Sequence, residues 1–480
     1  MSEESVTDTR AALRAATGGG AAVTETTSGT AVPSAPRASD DGGLDVGATA
    51  GATPDAASTS FGTRLEFLDA LRGLAAMLVV VEHISEQQWT GFQTFALERF
   101  RFGEFGVVVF FMISGFIIPA SLERRGSLRE FWIGRVFRLF PIYWATIVAI
   151  LVLHFGFHRY RGIDFYWPHW ARYTAYNATM VQNFFTTRMA LGQSWTLAYE
   201  MTFYVAVSIL FVGGVHRRTA PIAAIGLLVA MVVANPGIPH PLAHDLNAKV
   251  TAALVVMIVL ALGAAAYLSR GKGPVTTSLC MLFAALCAVG LANRYEPAFQ
   301  AAFFLGTMFF GNAVYRWTKG SLSGRTLGLL SILAFVSIVV AQSRNWSPWL
   351  SGNPVQNGRF HMAEVLTYGG AYATFFVGVL LRDKHFPKPL LYLGTISYSL
   401  YLVHAIALYA GPEWPAHKTW TVLAQIALTI VLSALTYQFI EKPAIALGRK
   451  VAKATRPKHR GSAAPPSPPR SPAGGGVATG

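Results

Sequence analysis

The sequence predicts an all-α, polytopic transmembrane helical bundle of ten to twelve spans, and three observations carry that expectation. The composition is 52% hydrophobic, 12% aromatic and only 13% charged, with a positive mean hydropathy, unlike a soluble chain of 480 residues. The apolar residues fall in runs near the ~20 helical residues needed to cross a hydrocarbon core of about 30 Å. Between the runs Lys and Arg gather in short clusters, which is how cytoplasmic loops are marked. The same clustering accounts for the formal charge of +15 without a nucleic-acid partner. Lipid admits only helices or closed barrels, and these runs lack strand alternation.

In chain order, residues 1–60 are rich in Ala, Gly, Ser and Thr and hold few large apolar side chains, so they are expected to be disordered. Twelve apolar runs follow, at about 65–85, 103–122, 138–156, 195–213, 219–235, 249–268, 275–292, 298–316, 326–342, 363–381, 391–411 and 420–440. The run at 275–292 is short, which leaves ten or eleven spans open. Basic clusters at Arg124-Arg125 through Arg138, His216-Arg217-Arg218, Arg270 with Lys272, Arg316 with Lys319, Arg382 with Lys384, and Arg449-Lys450 alternate with less basic loops. By the positive-inside rule both termini are then cytoplasmic. The loop 157–194 goes against this count, since it holds Arg159, Arg161, Arg172 and Arg188 among Tyr, Trp and His; an interfacial or substrate-facing surface would explain it. Cys280 and Cys287 are seven apart in one apolar run and are read as packing residues. From 446 the chain reads as a basic, then Pro/Gly-rich, disordered tail.

The first run carries ionisable groups that cost roughly 2.5–3.5 kcal/mol each at a helix centre: Asp69, Arg72, Glu82 and His83. Arg72 and His83 are eleven residues apart, so they lie within about 20° on one helix face and ~16 Å apart along the axis. Asp69 is an i,i+3 partner for Arg72, and Glu82 points off the stripe. In Phe105-Gly106-Val-Val-Val-Phe-Phe-Met-Ile-Ser114-Gly115-Phe116 the glycines remove bulk where backbones or a ligand chain approach. In Arg135-Val-Phe-Arg138-Leu-Phe-Pro141 two arginines at i,i+3 form a fork for phosphate or carboxylate, with a topology signal as the equal alternative. Ser194-Trp-Thr-Leu-Ala-Tyr-Glu200 opens the fourth run. By the topology above Glu200 is at the level of His83, where it would orient that imidazole or pair with a buried Arg. In Ser397-Tyr-Ser-Leu-Tyr401-Leu-Val-His404 three polar residues share a face, and His404 is read either as a hydrogen-bonded core residue or as a second base. Glu441-Lys-Pro443 reads as a helix end and interface anchor.

Taken in order, these motifs closely resemble the acyltransferase 3 family of integral-membrane O-acyltransferases over about residues 64–443. The resemblance implies an acyltransferase domain at 61–445, with His83 essential and supported by Arg72, Arg135 and Arg138. Glu200 and the run from Ser397 through Tyr401 to His404 match further motif positions. Glu82 departs from the pattern, which more often has an apolar or aromatic residue there. The activity it implies moves an acyl group, acetyl in the first place, from acyl-CoA to a sugar hydroxyl of a surface glycan, lipid-linked glycan or glycosylated metabolite, in the cell membrane. Acyl-CoA is then a co-substrate, and neither a bound cofactor nor a metal is expected. The alternative from another class is a multi-span transporter of a small solute, since polar groups in a helical bundle also mark solute paths.

Overall fold

The first apolar run folds as α1 (Glu66–Gln88), which packs against the short α2 (Phe92–Arg99) and the long α3 (Phe102–Arg125). In this computed structural model the described residues are 65–89, 91–157, 170–180, 182, 189–234, 298–343 and 354–455. α4 (Leu128–Phe157), α5 (Trp170–Ala178), α6 (Trp195–Val212) and α7 (Thr219–Val233) follow. Next come α8 (Ala298–Thr318), α9 (Gly324–Ser343) and α10 (Pro354–Leu380). The chain then forms α11 (Lys388–Thr395), α12 (Ser397–Ala410), α13 (Lys418–Thr436), a π-helical turn at Tyr437–Glu441, and α14 (Lys442–Ala454). No strand occurs among the described residues.

By length and hydropathy six of these helical stretches suffice to cross a membrane: α3, α4, α6, α9, α10 and the run Lys418–Ala454. The expected span at 391–411 is a bent pair, α11 and α12, meeting at 76°, and it makes a seventh if counted as one crossing. α7 is a shorter apolar helix. The expected runs at 65–85 and 298–316 are helical as well, as α1 and α8. The runs at 249–268 and 275–292, both cysteines, the segment 1–60 and the tail beyond 455 lie outside the described residues. The outer faces of the helices are apolar: Val148 on α4 is 58% exposed and Leu329 on α9 is 69% exposed. In water such faces would aggregate, whereas in lipid they are the solvated surface. The protein is a multi-pass membrane protein.

α3 is the pivot of the packing, touching α1, α4, α6, α8 and α10. It runs antiparallel to α1: Gly103, at its start, lies against the Glu82 carboxylate, near the end of α1. A Cβ on Gly115 would fall on the Met308 backbone of α8, and one on Gly311 of α8 would fall on the Met112 carbonyl of α3. The two backbones therefore meet with no side chain between them, as the small residues of the motif led us to expect. α3 ends at Gly126, whose φ of 65° closes the helix through a 2.9 Å bond from its N–H to the Leu122 carbonyl. Each end of α3 also carries an ionic clamp. At the start, Arg101 lies 2.5 Å from Glu104 and 2.6 Å from Glu364 of α10. At the far end Glu123 pairs with Arg316 of α8.

The crossing of α3 and α8 has a direct test. Gly115→Val must push two backbones apart and should cost about 3 kcal/mol or more, beyond ordinary overpacking. Gly328→Ala on α9, where a Cβ meets nothing within 4 Å, should be neutral or slightly stabilising. Thermal unfolding of the detergent-solubilised variants separates the two, and equal midpoints would refute the close approach.

Candidate active site

The break between α11 and α12 delivers the first turn of α12 into the bundle. Gly394, just before the break, lies so close to the Asp69 carbonyl of α1 that a Cβ would collide with it. Ser397 and Tyr398, which open α12, line a cavity. The first N–H groups of a helix have no intrahelical acceptor and form the positive end of its dipole, so this turn favours an anion.

Three arginines line the same cavity: Arg72 from α1, and Arg135 and Arg138 from α4. They are close enough to repel one another. The Arg135 guanidinium carbon lies 5.4 Å from the ring centres of both Phe131 and Tyr204, within cation–π range. Among the described residues, neither Arg135 nor Arg138 has a carboxylate within ion-pair distance, and Arg72 has only Asp69, at 3.5 Å. Glu200 of α6 is the cavity's own carboxylate. Its Oε1 accepts hydrogen bonds from Ser114 at 3.1 Å and Tyr204 at 2.5 Å. Behind the cavity, Glu441 on the π-turn is 2% exposed, accepts a 2.9 Å bond from Ser399, and feels the charges of Arg138 and Arg72.

A second group lies further along α1. The imidazole of His83 stacks on that of His404 from α12, with ring centres 5.1 Å apart and planes 29° apart. His83 Nδ1 is 2.9 Å from the Val79 carbonyl, and His404 Nδ1 is 3.3 Å from the Leu400 carbonyl. A carbonyl only accepts, so these contacts fit the Nδ1–H tautomer of each ring, in which a neutral imidazole presents its lone pair at Nε2. Tyr401 joins the two groups. It lines the arginine cavity, and its ring centre is 6.3 Å from that of His404. Its hydroxyl donates to the Gln193 carbonyl at 2.6 Å and meets the Thr196 hydroxyl at 2.7 Å.

The structure thus gathers Arg72, Arg135, Arg138, Glu200, Ser397 and Tyr401 around one cavity, and pairs His83 with His404 next to it. Asp69 braces Arg72. Of the two roles read for Glu200, orienting His83 or partnering an Arg, the structure favours the second: Glu200 sits among the arginines, and the His83 ring stacks on His404. Helical rise explains the difference, since Arg72 and His83 are ~16 Å apart on α1 and α6 meets the Arg72 end. Glu82 turns away from the cavity toward Gly103 and Arg101, is 7% exposed, and leaves Oε2 without a hydrogen-bond partner. Tyr204, Ser399 and Glu441 were missed as site residues. Glu441 was visible as a charged residue closing the last span, but the π-turn that brings it to the arginines leaves no mark in the sequence. Among the described residues no group of three His, Cys, Asp or Glu could hold a metal.

Removing Glu200 should be costly because it leaves three half-buried arginines with less compensating charge. Glu200→Leu removes a charged acceptor of two hydrogen bonds and is expected to destabilise by about 3 kcal/mol, whereas Ser114→Ala removes one hydrogen bond worth about 1 kcal/mol. Denaturation midpoints in one detergent would check this, and similar losses for the two variants would contradict the charge balance.

The family model described as an acyltransferase domain matches residues 65–438. The putative peptidoglycan O-acetyltransferase YrhL of Bacillus subtilis is 23% identical over 407 residues, covering 78% of this chain and 54% of that protein. The peptidoglycan O-acetyltransferase OatA of Listeria monocytogenes is 26% identical over 398 residues, covering 78% of this chain and 55% of its own length. Nodulation protein 10 of Rhizobium leguminosarum is 24% identical over 363 residues, 71% of this chain and 82% of that protein. The chain therefore spans about half the length of the first two relatives. No solved structure matches it significantly. With the match running from Leu65, the cap of α1, to the start of the π-turn, the chain belongs to the acyltransferase 3 family.

Proposed function

We propose that the protein is a membrane O-acyltransferase that moves an acyl group, acetyl in the first place, from acyl-CoA to a sugar hydroxyl of a surface or lipid-linked glycan or a glycosylated metabolite. The observation that carries this reading is the convergence of three half-buried arginines and a helix N-terminus on one cavity with little contacting carboxylate. Such a site is built for a polyanion, and the phosphates of CoA are one. The positive-inside rule, applied to the basic loops, supports an arginine end that faces the cytoplasm, where acyl-CoA occurs, with both termini on that side. The names of the relatives from Bacillus and Listeria make an acetyl donor and a glycan acceptor the first choices.

In this mechanism Arg72, Arg135, Arg138 and the first turn of α12 hold the phosphates, and the pantetheine arm extends past Tyr401 toward His83. His83 Nε2 takes the proton of the acceptor hydroxyl as its oxygen attacks the thioester carbonyl. General-base help of this kind is worth about 10²–10⁴ in rate. Collapse breaks the carbon–sulfur bond, and the CoA thiolate leaves with the proton carried by His83, so the exchange balances without further reactants.

A solute transporter is the second reading, favoured by the 76° break, because transporters also place broken helices around a central site. The two readings part on one assay with membranes and acetyl-labelled acetyl-CoA. The enzyme puts label into an alkali-labile product, which His83→Ala lowers at least about 100-fold in turnover. Arg138→Ala raises the KM for acetyl-CoA about tenfold or more, the loss of one charged contact. Absence of label from the folded wild-type protein with several acyl donors would reject acyl transfer, and uptake measurements would then take over.

A further inference from the structure

Among the described residues the ring stacked on His83 is that of His404, and the mechanism above leaves it without a role. Its surroundings differ from those of its partner. The His404 residue is 1% exposed, while His83 is half-buried. The backbone on which His404 rides is bolted on several sides. Gln193 Nε2 donates to the Leu402 carbonyl at 3.0 Å, and the Tyr401 hydroxyl donates back to the Gln193 carbonyl. Ser399 is tied to Glu441, and the Tyr398 hydroxyl donates to the Leu139 carbonyl of α4 at 3.0 Å. One imidazole is therefore a fixed surface, and the other is a ring with access to the surroundings, laid against it.

The hydrogen-bond pattern restricts what the fixed ring can do. His404 Nδ1–H is turned to the Leu400 carbonyl of its own helix, and among the described residues no carboxylate pairs with either imidazole. A second proton on His404 would put an uncompensated cation in an apolar bundle, face to face with the ring that has to become cationic in turnover. A neutral ring in the same place does the reverse. It fixes the plane of His83, and its π-face stabilises the imidazolium once His83 has taken the proton.

We propose that His404 is the positioning residue for His83: a neutral aromatic platform that holds the His83 ring in place by stacking and takes up no second proton. The proposal rests on His83 being the base. It predicts that a flat ring at 404, and no nitrogen there, is what activity needs.

Full-length protein in membranes, labelled acetyl-CoA and the membrane's own alkali-labile acceptors give the test, with His83→Ala measured beside it. His404→Gln, polar but without a ring, should lose about 100-fold in kcat, comparable to the loss of general-base help, while its KM for acetyl-CoA stays within about threefold of wild type. His404→Phe should recover kcat to within about tenfold of wild type, with His404→Tyr as a second ring-bearing variant should Phe not pack. Folded His404→Phe or His404→Tyr protein as slow as His404→Gln would overturn the platform, because the nitrogen would then matter. A His404→Gln protein with wild-type kcat would overturn it as well. Side-chain nitrogen shifts of the wild-type histidines at neutral pH decide it without any substitution. A neutral, Nδ1-protonated His404 is expected, and an imidazolium or an Nε2-protonated ring at 404 contradicts it. Wild-type turnover by His83→Ala is a separate result: it removes His83 as the base and leaves the fate of acyl transfer to the label assay.

Discussion

A guanidinium cannot shed its proton in a protein, and three of them face one cavity in an apolar bundle. That is the constraint from which the rest of the architecture follows. Arg72, Arg135 and Arg138 repel one another, so the bundle has to bring them compensation from several helices at once. Glu200 comes from α6, held by Ser114 of α3 and by Tyr204. Glu441 comes from the π-turn, held by Ser399 of α12. Asp69 comes from α1 itself. Each carboxylate is anchored by a neighbour, so the electrostatic balance and the helix packing are one problem. What the carboxylates leave uncompensated is available to an anionic ligand.

The bundle solves this by close contact where polarity is absent and by ion pairs at its ends. α3 and α8 cross backbone to backbone at Gly115 and Gly311. Arg101 and Glu123 mark the two ends of α3 with pairs to α10 and α8. Between those clamps, α1 lies against α3, α11, α12 and α13. A helix held on so many sides can carry Arg72, Glu82 and His83 in the bundle, where an isolated span would not.

Much of this was legible in the sequence, and the reasons are local. The hydrophobic runs and basic clusters marked the helices because lipid imposes length and the topology rule imposes charge. Arg72 and Asp69 are paired as their i,i+3 spacing requires, and Gly115 marks a close crossing, as small residues in membrane helices do. The paired arginines at 135 and 138 do face a common cavity, as their spacing on α4 implies. What escaped was non-local or backbone-borne. Nothing in Gly394-Thr-Ile-Ser397 distinguishes a straight span from one bent at 76°. Nothing in Tyr437-Gln-Phe-Ile-Glu441 announces a π-turn. The level of Glu200 was read from topology alone, and half a membrane of helix rise separated that reading from its actual neighbours. His404 was visible as one of two alternatives, but the stacked ring that gives it a partner comes from a helix more than three hundred residues earlier in the chain.

Arg72 and His83 ride on one unbroken helix, and that makes α1 a gauge. The distance between the place that grips an anion and the place that presents an imidazole is set by eleven residues of backbone, about 16 Å, and not by any movable loop. A ligand that spans both must have the matching length between its charge and its reactive carbon, whatever its ends look like. Selection among donors is then a matter of reach before it is a matter of affinity. Inserting one residue between the two would turn His83 by about 100° relative to Arg72 and leave both side chains intact but out of register.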